Sequence, residues 1–540
     1  MGTYRSCRRG LGSKFTHDHF GNLKSSLLPS LLSACAFLSA CGVPTTRSAP
    51  ILKISVSSTQ NPLVAQYTVG SGCAGQVMVE FGPDTSYGRS TAWYPIAPFK
   101  ALPILVAGMR ASTTYHMRAQ RECSGQTDMA PDSTFTTGAL PAIAFPVLHV
   151  SRPSPSQAPA ATENPGIEMI TVTVPGTPIF FTDRDGNTIW YYDIAPPNYP
   201  FVFKLLPNGH ILLTFTYPTG STLREIDLAG NTIREMDIYA LQQKVQSAGY
   251  DFAPGGYHHD VLPLPNGHTI VLVDCGKNFT DLPGYPGTTF VQGDAIIDLD
   301  PNWNPVWAWN SFDYLDVNRH LNGLPDWTHS NALVYSPDDG NILISMRHQS
   351  WILKIDYSNG TGTGRVLWRL GYQGDFALTQ NGVPTTDPSL WFSFQHFPSL
   401  VSQSGPQTTL AVWDNGDNRI LNSDGEECIY PGTGPFPPCY SRATIFQVDE
   451  SAMVADLQWA ETISDYSNWG GSIKQQANGN VEFDINAPAI PPAPGVASEV
   501  QEVTETSTPQ MIWKMDIMNP ATAYRAYRVP SLYPGVTWQY

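Results

Sequence analysis

Downstream of about residue 50 the chain is a succession of short apolar runs separated by turn residues. Between Ile51 and about Thr137, apolar and polar positions alternate, as in Ile54–Ser57, Gln76–Phe81 and Thr114–Ala119. A period of two marks strands with one buried face, and short runs broken by turns predict a small β-sandwich of fibronectin or immunoglobulin type over residues 51–140. Residues 141–165 are rich in Pro, Ala and Ser and predict a linker. From residue 166 a turn-and-strand unit recurs. Leu206-Pro207-Asn208-Gly209-His210 precedes Ile211–Phe215, Leu264-Pro265-Asn266-Gly267-His268 precedes Thr269–Val273, and Pro337–Asn341 precedes Ile342–Ser345. Weaker copies, Gln403-Ser404-Gly405 and Ala477-Asn478-Gly479-Asn480, precede Thr409–Trp413 and Val481–Phe483.

Asn-Gly is a strong hairpin signal because both residues tolerate positive φ. These turns recur at intervals of roughly 60 to 75 residues, longer than common short propeller repeats. Between them lie further strand signatures, Ile296–Asp300 and Trp351–Asp356, each followed by a Trp-containing strand at Val306-Trp307 and Val366–Trp368. Each unit therefore offers about four strands, the content of one propeller blade. With another unit near Phe180–Trp190 completed by the C-terminus, residues 166–540 are expected to form a six-bladed β-propeller, the alternative being a stack of sheets that does not close.

Composition agrees with an all-β chain. The 540 residues include 45 Gly, 47 Pro, 14 Trp and 24 Tyr, and only 14% are charged, against about a quarter in average proteins. The formal net charge of −16 argues against a nucleic-acid partner, since phosphate neutralisation needs clustered Lys and Arg. Such a cluster occurs only at the N-terminus, where Arg5, Arg8, Arg9, Lys14 and Lys24 precede the apolar stretch Leu27–Ala40. That stretch is too short to span a bilayer as a mature helix and reads as the core of an export signal over residues 1–41. It ends in Leu38-Ser39-Ala40-Cys41-Gly42, the form of a bacterial lipobox with Cys41 as the lipidated residue. Signal cleavage without a lipid is the alternative. Either way an exported, periplasmic protein is expected, with membrane contact only through the lipid. The cysteines suit an oxidising compartment: Cys73 and Cys123 lie in the N-terminal region, Cys428 and Cys439 bracket a Pro/Gly-rich loop, and Cys275 is left over as a buried thiol.

Three histidine-bearing segments stand at similar places relative to these turns: Tyr257-His258-His259-Asp260, Asp326–Asn331 around His329, and Phe394-Gln395-His396. In a propeller the loops entering the innermost strands converge at one mouth, so one such position per blade would gather the three histidines. Arg347, in Ser345-Met346-Arg347-His348, follows a predicted inner strand and can reach the same channel. Each piece also has a structural reading: His259 can simply bond its neighbour Asp260, and Arg347 can stack on Trp351. Together, three imidazoles and a guanidinium without a carboxylate ligand cluster suit chemistry on an oxyanion better than metal binding, and neither a metal nor another cofactor is expected.

The linked motifs, in order, resemble the bacterial arylsulfate sulfotransferases. They are His258-His259-Asp260 with its Asn-Gly turn, Asp326–Asn331 with Ser345–Gln349, Gln395-His396 with Trp413–Arg419, and the C-terminal Tyr524–Tyr533. The resemblance runs from about Ile51 to the C-terminus and implies an N-terminal β-sandwich before a six-bladed propeller. It implies transfer of a sulfuryl group from an aryl sulfate to a phenol without a nucleotide donor, in a ping-pong route through a sulfohistidine. On this chain His396 would be the nucleophile, Arg347 and His329 would bind the sulfuryl oxygens, and His259 would hold and protonate the phenolic oxygen. Asn331 would be an oxygen-binding or supporting partner, and His258 a second candidate for His259's place. Trp391, Phe392, Phe394, Tyr466 and Trp469 are candidates for the apolar walls a phenyl ring needs. The family's short disulfide loop agrees with Cys428 and Cys439, whereas Phe397-Pro398 departs from the small or acidic residue that often follows its nucleophile. A homodimer is left open. The rival readings are a non-catalytic surface propeller that binds an anionic ligand, and a metal-dependent lyase or hydrolase.

Overall fold

The computed structural model describes residues 51–539 except 144, 154–161, 173, 175, 195, 218–219, 435–436, 464 and 490–492. The expected signal segment and Cys41 lie outside the described residues. The chain is all-β: regular structure is almost entirely antiparallel strand, with helices at Ile238–Ser247 and Ser311–Tyr314 and three short 3-10 turns among the described residues. None of these helices is long and apolar enough to cross a membrane.

The N-terminal region forms two sheets. Ile51–Ser58, Ala65–Ser71 and Ala101–Val106 make one, and Gly75–Gly82 and Thr114–Cys123 are the centre of the other. The alternation read in Thr114–Cys123 is an alternation of burial, with Tyr115, Met117, Ala119 and Arg121 turned inward. Tyr67 and Val69 of the first sheet share a core with Val79, Phe81 and Met117 of the second. Cys73 and Cys123 are disulfide-bonded. Residues 141–165 differ from the expected linker. Leu148–Ser151 is a strand paired with Met511–Met518, and Phe145 sits edge-on to Phe180 and Tyr191 with ring centroids 6.2 and 5.4 Å apart. Apolar residues spaced through a Pro-rich run found a core to enter, which composition alone does not reveal.

From Ile167 onward six sheets follow one another among the described residues; five have a four-strand meander at their centre, and the first is the meander Ile167–Val172, Ile179–Thr182 and Thr188–Tyr192 with Ala523–Val529 added as its fourth strand. The Asn-Gly turns stand where expected, joining first to second strands: Gly209, Gly267 and Gly479 have φ of 84°, 85° and 87°. Asn208, Asn266 and Asn478 each accept the backbone N–H two residues on, at 3.0 Å. The first strands touch in order: Tyr199–Leu205 against Tyr257–Pro263, then Ser330–Ser336, His396–Ser404, Ser472–Gln475 and Ala523–Val529. The last of these pairs with Ile167–Val172, which returns to Tyr199–Leu205. The contacts thus run in a cycle, closed by pairing the last strand of the chain with a strand laid down more than 350 residues earlier (Ile167 opposite Val529).

The C-terminal tail then enters the N-terminal core. The Ala107 N–H donates to the Tyr533 hydroxyl at 2.7 Å, and Trp538 Nε1 donates to the Ser90 carbonyl at 2.9 Å. Trp538 is 1% exposed and meets Phe81 edge-on. Trp538→Ala is therefore expected to destabilise the protein by about 3–5 kcal/mol, as for other fully buried aromatic truncations. Denaturant unfolding followed by fluorescence checks this, and an unchanged midpoint would show that the tail is dispensable.

Candidate active site

The predicted residues gather where the chain enters the first strands. His258 and His259 lie near the start of Tyr257–Pro263, His329 immediately precedes Ser330–Ser336, and His396 opens His396–Ser404. His259, His329 and Phe394 have φ of 53°, 46° and 52°. Left-handed backbone is disfavoured for residues with a Cβ, and here it recurs at three strand entrances. The rings form a chain of contacts. His259 lies 4.8 Å from His329 and 5.7 Å from Tyr524, His329 lies 4.6 Å from His348, and Tyr524 lies 6.2 Å from His396, all between centroids.

His396 is 1% exposed. Its Nδ1 is 2.7 Å from Asn415 Oδ1, while Asn415 Nδ2 donates to the carbonyls of Ser467 and Gly470 at 2.8 and 3.1 Å. The amide hydrogens being spent, Oδ1 must accept, so His396 Nδ1 carries the proton and Nε2 keeps its lone pair. The Gly470 N–H donates toward that Nε2 at 3.3 Å. Burial and the nearby Arg347 charge hold the imidazole well below its ordinary pKa. The ring is neutral at pH 7, with the lone pair on Nε2.

Arg347 Nη2 donates to Asp417 Oδ2 and to the Asn468 carbonyl, each at 2.8 Å. Its guanidinium lies 5.2 Å from the Phe394 ring, whereas it is Arg319 that stacks on Trp351, at 3.9 Å. Arg347 Nε is buried and has no hydrogen-bond partner among the described residues. Tyr466 donates its hydroxyl to Asp417 and packs against the Cys428–Cys439 disulfide, so the crosslinked loop braces the carboxylate that holds Arg347. Burial pushes Asp417 up to about 6 despite these partners. Asn331 Nδ2 donates to the Gln395 carbonyl, next to His396, at 2.7 Å. Gln395 Nε2 in turn donates to the Trp351 carbonyl at 2.9 Å, which fixes the backbone leading into His396.

Asp326, His329 and His348 bring ligand atoms within 4.8 Å of one another, the spacing of a metal site. Their donors are already committed, however. Arg347 Nη1 lies 2.6 Å from His348 Nε2, and because a guanidinium only donates, His348 Nδ1–H must serve the Asp326 carbonyl, at 2.8 Å. His329 Nδ1 pairs with Asp326 Oδ2 at 2.6 Å. A cation here would sit against Arg347, so this donor set does not fit a metal.

A cavity of about 330 Å³ opens beside His259 and His329, walled by Tyr199 and Phe201. The aromatic walls expected from the sequence lie elsewhere: Trp391, Phe392 and Phe394 line a separate cavity of about 220 Å³, Tyr466 is buried against the disulfide, and Trp469 is 37% exposed. Sequence reading also passed over Asn415, Asp417, Tyr524 and Gly470 as functional residues. The first two stand in the polar run Asp414–Arg419 and Tyr524 opens the C-terminal run Tyr524–Tyr533, both visible in the sequence; Gly470 carries no such signal.

Residues 162–528 match the Arylsulfotransferase (ASST) family. The chain belongs to the arylsulfotransferase family. The arylsulfate sulfotransferase AssT of Escherichia coli O6:H1 is 24% identical, in a match covering 56% of this chain and 56% of that protein, so this chain spans little more than half of the relative's length. Among solved structures, the rhamnogalacturonan lyase PL11 of Bacillus licheniformis superposes over 91% of this chain and 92% of its own, at 9% identity and a TM-score of 0.31. A protein of unknown function from Bacteroides caccae covers 72% of this chain and 94% of its own, at 10% identity and a TM-score of 0.30. Likeness this distant carries no argument about chemistry.

Burial, then the charges of His329 and Arg347, push His348 down to about 4. Unfolded, the same ring titrates near about 6.5, so between these values the folded state binds fewer protons than the unfolded one. The stability that depends on neutral His348 is complete above the unfolded value and is lost as pH falls toward the folded one. His348→Gln should therefore show a smaller drop in unfolding temperature between neutral and mildly acidic pH than the native protein; an equal drop would place the acid sensitivity elsewhere.

Proposed function

We propose that the protein is an exported aryl sulfotransferase that moves a sulfuryl group from an aryl sulfate to a phenol through a sulfohistidine at His396. The observation that carries this is the neutral, buried His396, its Nε2 lone pair set by Asn415, beside a guanidinium with an unpartnered Nε–H. Nε2 attacks sulfur while the donor phenol departs. Arg347 Nε–H donates to one sulfuryl oxygen, the Gly470 N–H turns from Nε2 to another as the nitrogen attacks, and His329, held by Asp326, binds the same group. Charge moves over these oxygens during transfer, so fixed donors in a dry site stabilise the transition state more than the substrate. His259 protonates the leaving phenolate and later takes the proton of the acceptor. The cavity walled by Tyr199 and Phe201 is of a size for one aromatic ring.

In this reading residues 166–540 are a six-bladed propeller, supported by the cycle of first-strand contacts, and residues 51–140 a sandwich packed beside it, with residues 141–165 joining the two. Export is supported by the apolar N-terminal stretch and by the two disulfides; a lipid on Cys41 would tether the protein to a membrane.

Incubation with para-nitrophenyl sulfate and an unsubstituted phenol tests the reading. Nitrophenol release should depend on the acceptor, with parallel double-reciprocal lines, and Arg347→Lys should lower kcat/KM by about 100-fold or more, since one lost oxyanion donor has this effect elsewhere and Lys cannot reproduce the fork. Folded, disulfide-bonded protein that releases nothing would favour a binding propeller instead.

A further inference from the structure

Two imidazoles stand in line at the phenol-binding side of the site. His258 and His259 are adjacent in sequence, and neighbours in a regular strand point to opposite faces. The left-handed φ of 53° at His259 breaks that rule, and the two rings meet nearly perpendicular, 4.9 Å between centroids and 2.7 Å between their Nδ1 atoms. A contact this short between two nitrogens requires one proton between them. The described residues give His259 Nε2 no hydrogen-bond partner.

On its far side His258 Nε2 lies 3.2 Å from Asp294 Oδ1, off the line of a straight hydrogen bond but within ion-pair range. Asp294 is fixed in turn, its Oδ2 accepting from Thr328 Oγ1 and from the Ser330 N–H, each at 2.6 Å. Asp274, on the neighbouring strand Thr269–Leu282, adds a second negative charge toward the same ring. Burial alone would lower the pKa of His258, but Asp294 and Asp274 more than offset it and hold the group above its ordinary value. His259 is driven well below, by burial first and then by the charges of His329 and its other cationic neighbours. Buried beside His329, His258 and Arg525, a further cation at His259 is disfavoured, yet a neutral imidazole is a poor acid for a leaving phenolate.

We infer that Asp294, His258 and His259 form a proton relay, in which His259 touches the phenolic oxygen and His258 stores the proton one ring behind it. The inference rests on the sulfuryl-transfer reading. In the first half-reaction the bond between sulfur and the aryl oxygen breaks as His396 Nε2 bonds to sulfur. The bonding pair leaves on the phenolic oxygen, which takes the proton from His259 Nε2. His259 Nδ1 takes the proton from His258 Nδ1, and both imidazoles end neutral, His258 retaining its Nε2 proton beside Asp294. The acceptor phenol drives the same steps backward: its proton passes to His259 Nε2, that of His259 Nδ1 returns to His258, and the new oxygen–sulfur bond replaces the bond to His396. Asp294 is a positioning residue in this scheme, and His258 acts through His259.

The experiment compares aryl sulfates of graded leaving-group ability. Para-nitrophenolate leaves without help, whereas unsubstituted phenolate needs its proton. In His258→Gln and Asp294→Asn the ratio of kcat/KM for para-nitrophenyl over phenyl sulfate should rise by about 100-fold, the usual scale of general-acid catalysis. Equal losses on both donors would reduce the pair to a structural role and overturn the relay. The native protein supplies a second readout that needs no variant: with phenyl sulfate, the rate in mixtures of light and heavy water should curve as for two protons in motion. A linear dependence would overturn the relay even if both variants misfold. Native protein that fails to turn over para-nitrophenyl sulfate at all would instead remove the sulfuryl-transfer reading beneath it.

Discussion

Arg525, on the last strand of the chain, is the group on which the interior depends. It is fully buried, and its Nη2 donates to the backbone carbonyl of Asn331. Its Nη1 lies 3.3 Å from Asp260 Oδ1, a carboxylate that also pairs with Lys204 at 2.9 Å and accepts the Leu333 N–H at 3.0 Å. One guanidinium thus joins the first strands of three other sheets, Tyr199–Leu205, Tyr257–Pro263 and Ser330–Ser336. Buried charges are expensive to isolate, so removing one member of such a group exposes the full desolvation of the others. Three residues further on, Arg528 does the same with Glu168 and Glu502. The last strand of the chain is thus held by charge as well as by strand pairing.

That closure reaches the chemistry directly. Asn331, whose carbonyl Arg525 holds, uses its side chain to fix the Gln395 carbonyl next to His396. From the other direction the Cys428–Cys439 loop supports Tyr466, Tyr466 supports Asp417, and Asp417 holds Arg347. His396 and the Arg347 guanidinium are each held in place by residues of other elements. Their charges are also kept apart in kind: Arg347 and Arg525 make protonation of His396 unfavourable, which preserves its lone pair, while carboxylates gather behind His258.

Much of this was legible in the chain, for identifiable reasons. The Asn-Gly turns announced the sheet repeat because their backbone requirement is local, and His259, His329 and His396 could be grouped because each stands a similar distance before such a turn. Arg347 followed from its place after a recognised strand. What failed was whatever depended on long-range packing. Leu148–Ser151 became a strand because a partner, Met511–Met518, arrives over 360 residues later, and no local pattern announces that. Trp391–Phe394 line a cavity of their own, whereas the cavity beside His259 takes its aromatics from Tyr199 and Phe201 of another sheet. His258 and His259 could not be ranked, because a strand reading presents only one of them; the positive φ of His259 presents both to one another.

The most direct test of the account is peptide mass mapping of protein quenched after mixing with an aryl sulfate and no acceptor. One labile sulfuryl group is expected on His396 Nε2, lost on adding a phenol and absent from His396→Asn. A sulfuryl group on any other residue, or phenol-dependent transfer that proceeds with no adduct on His396, would contradict it.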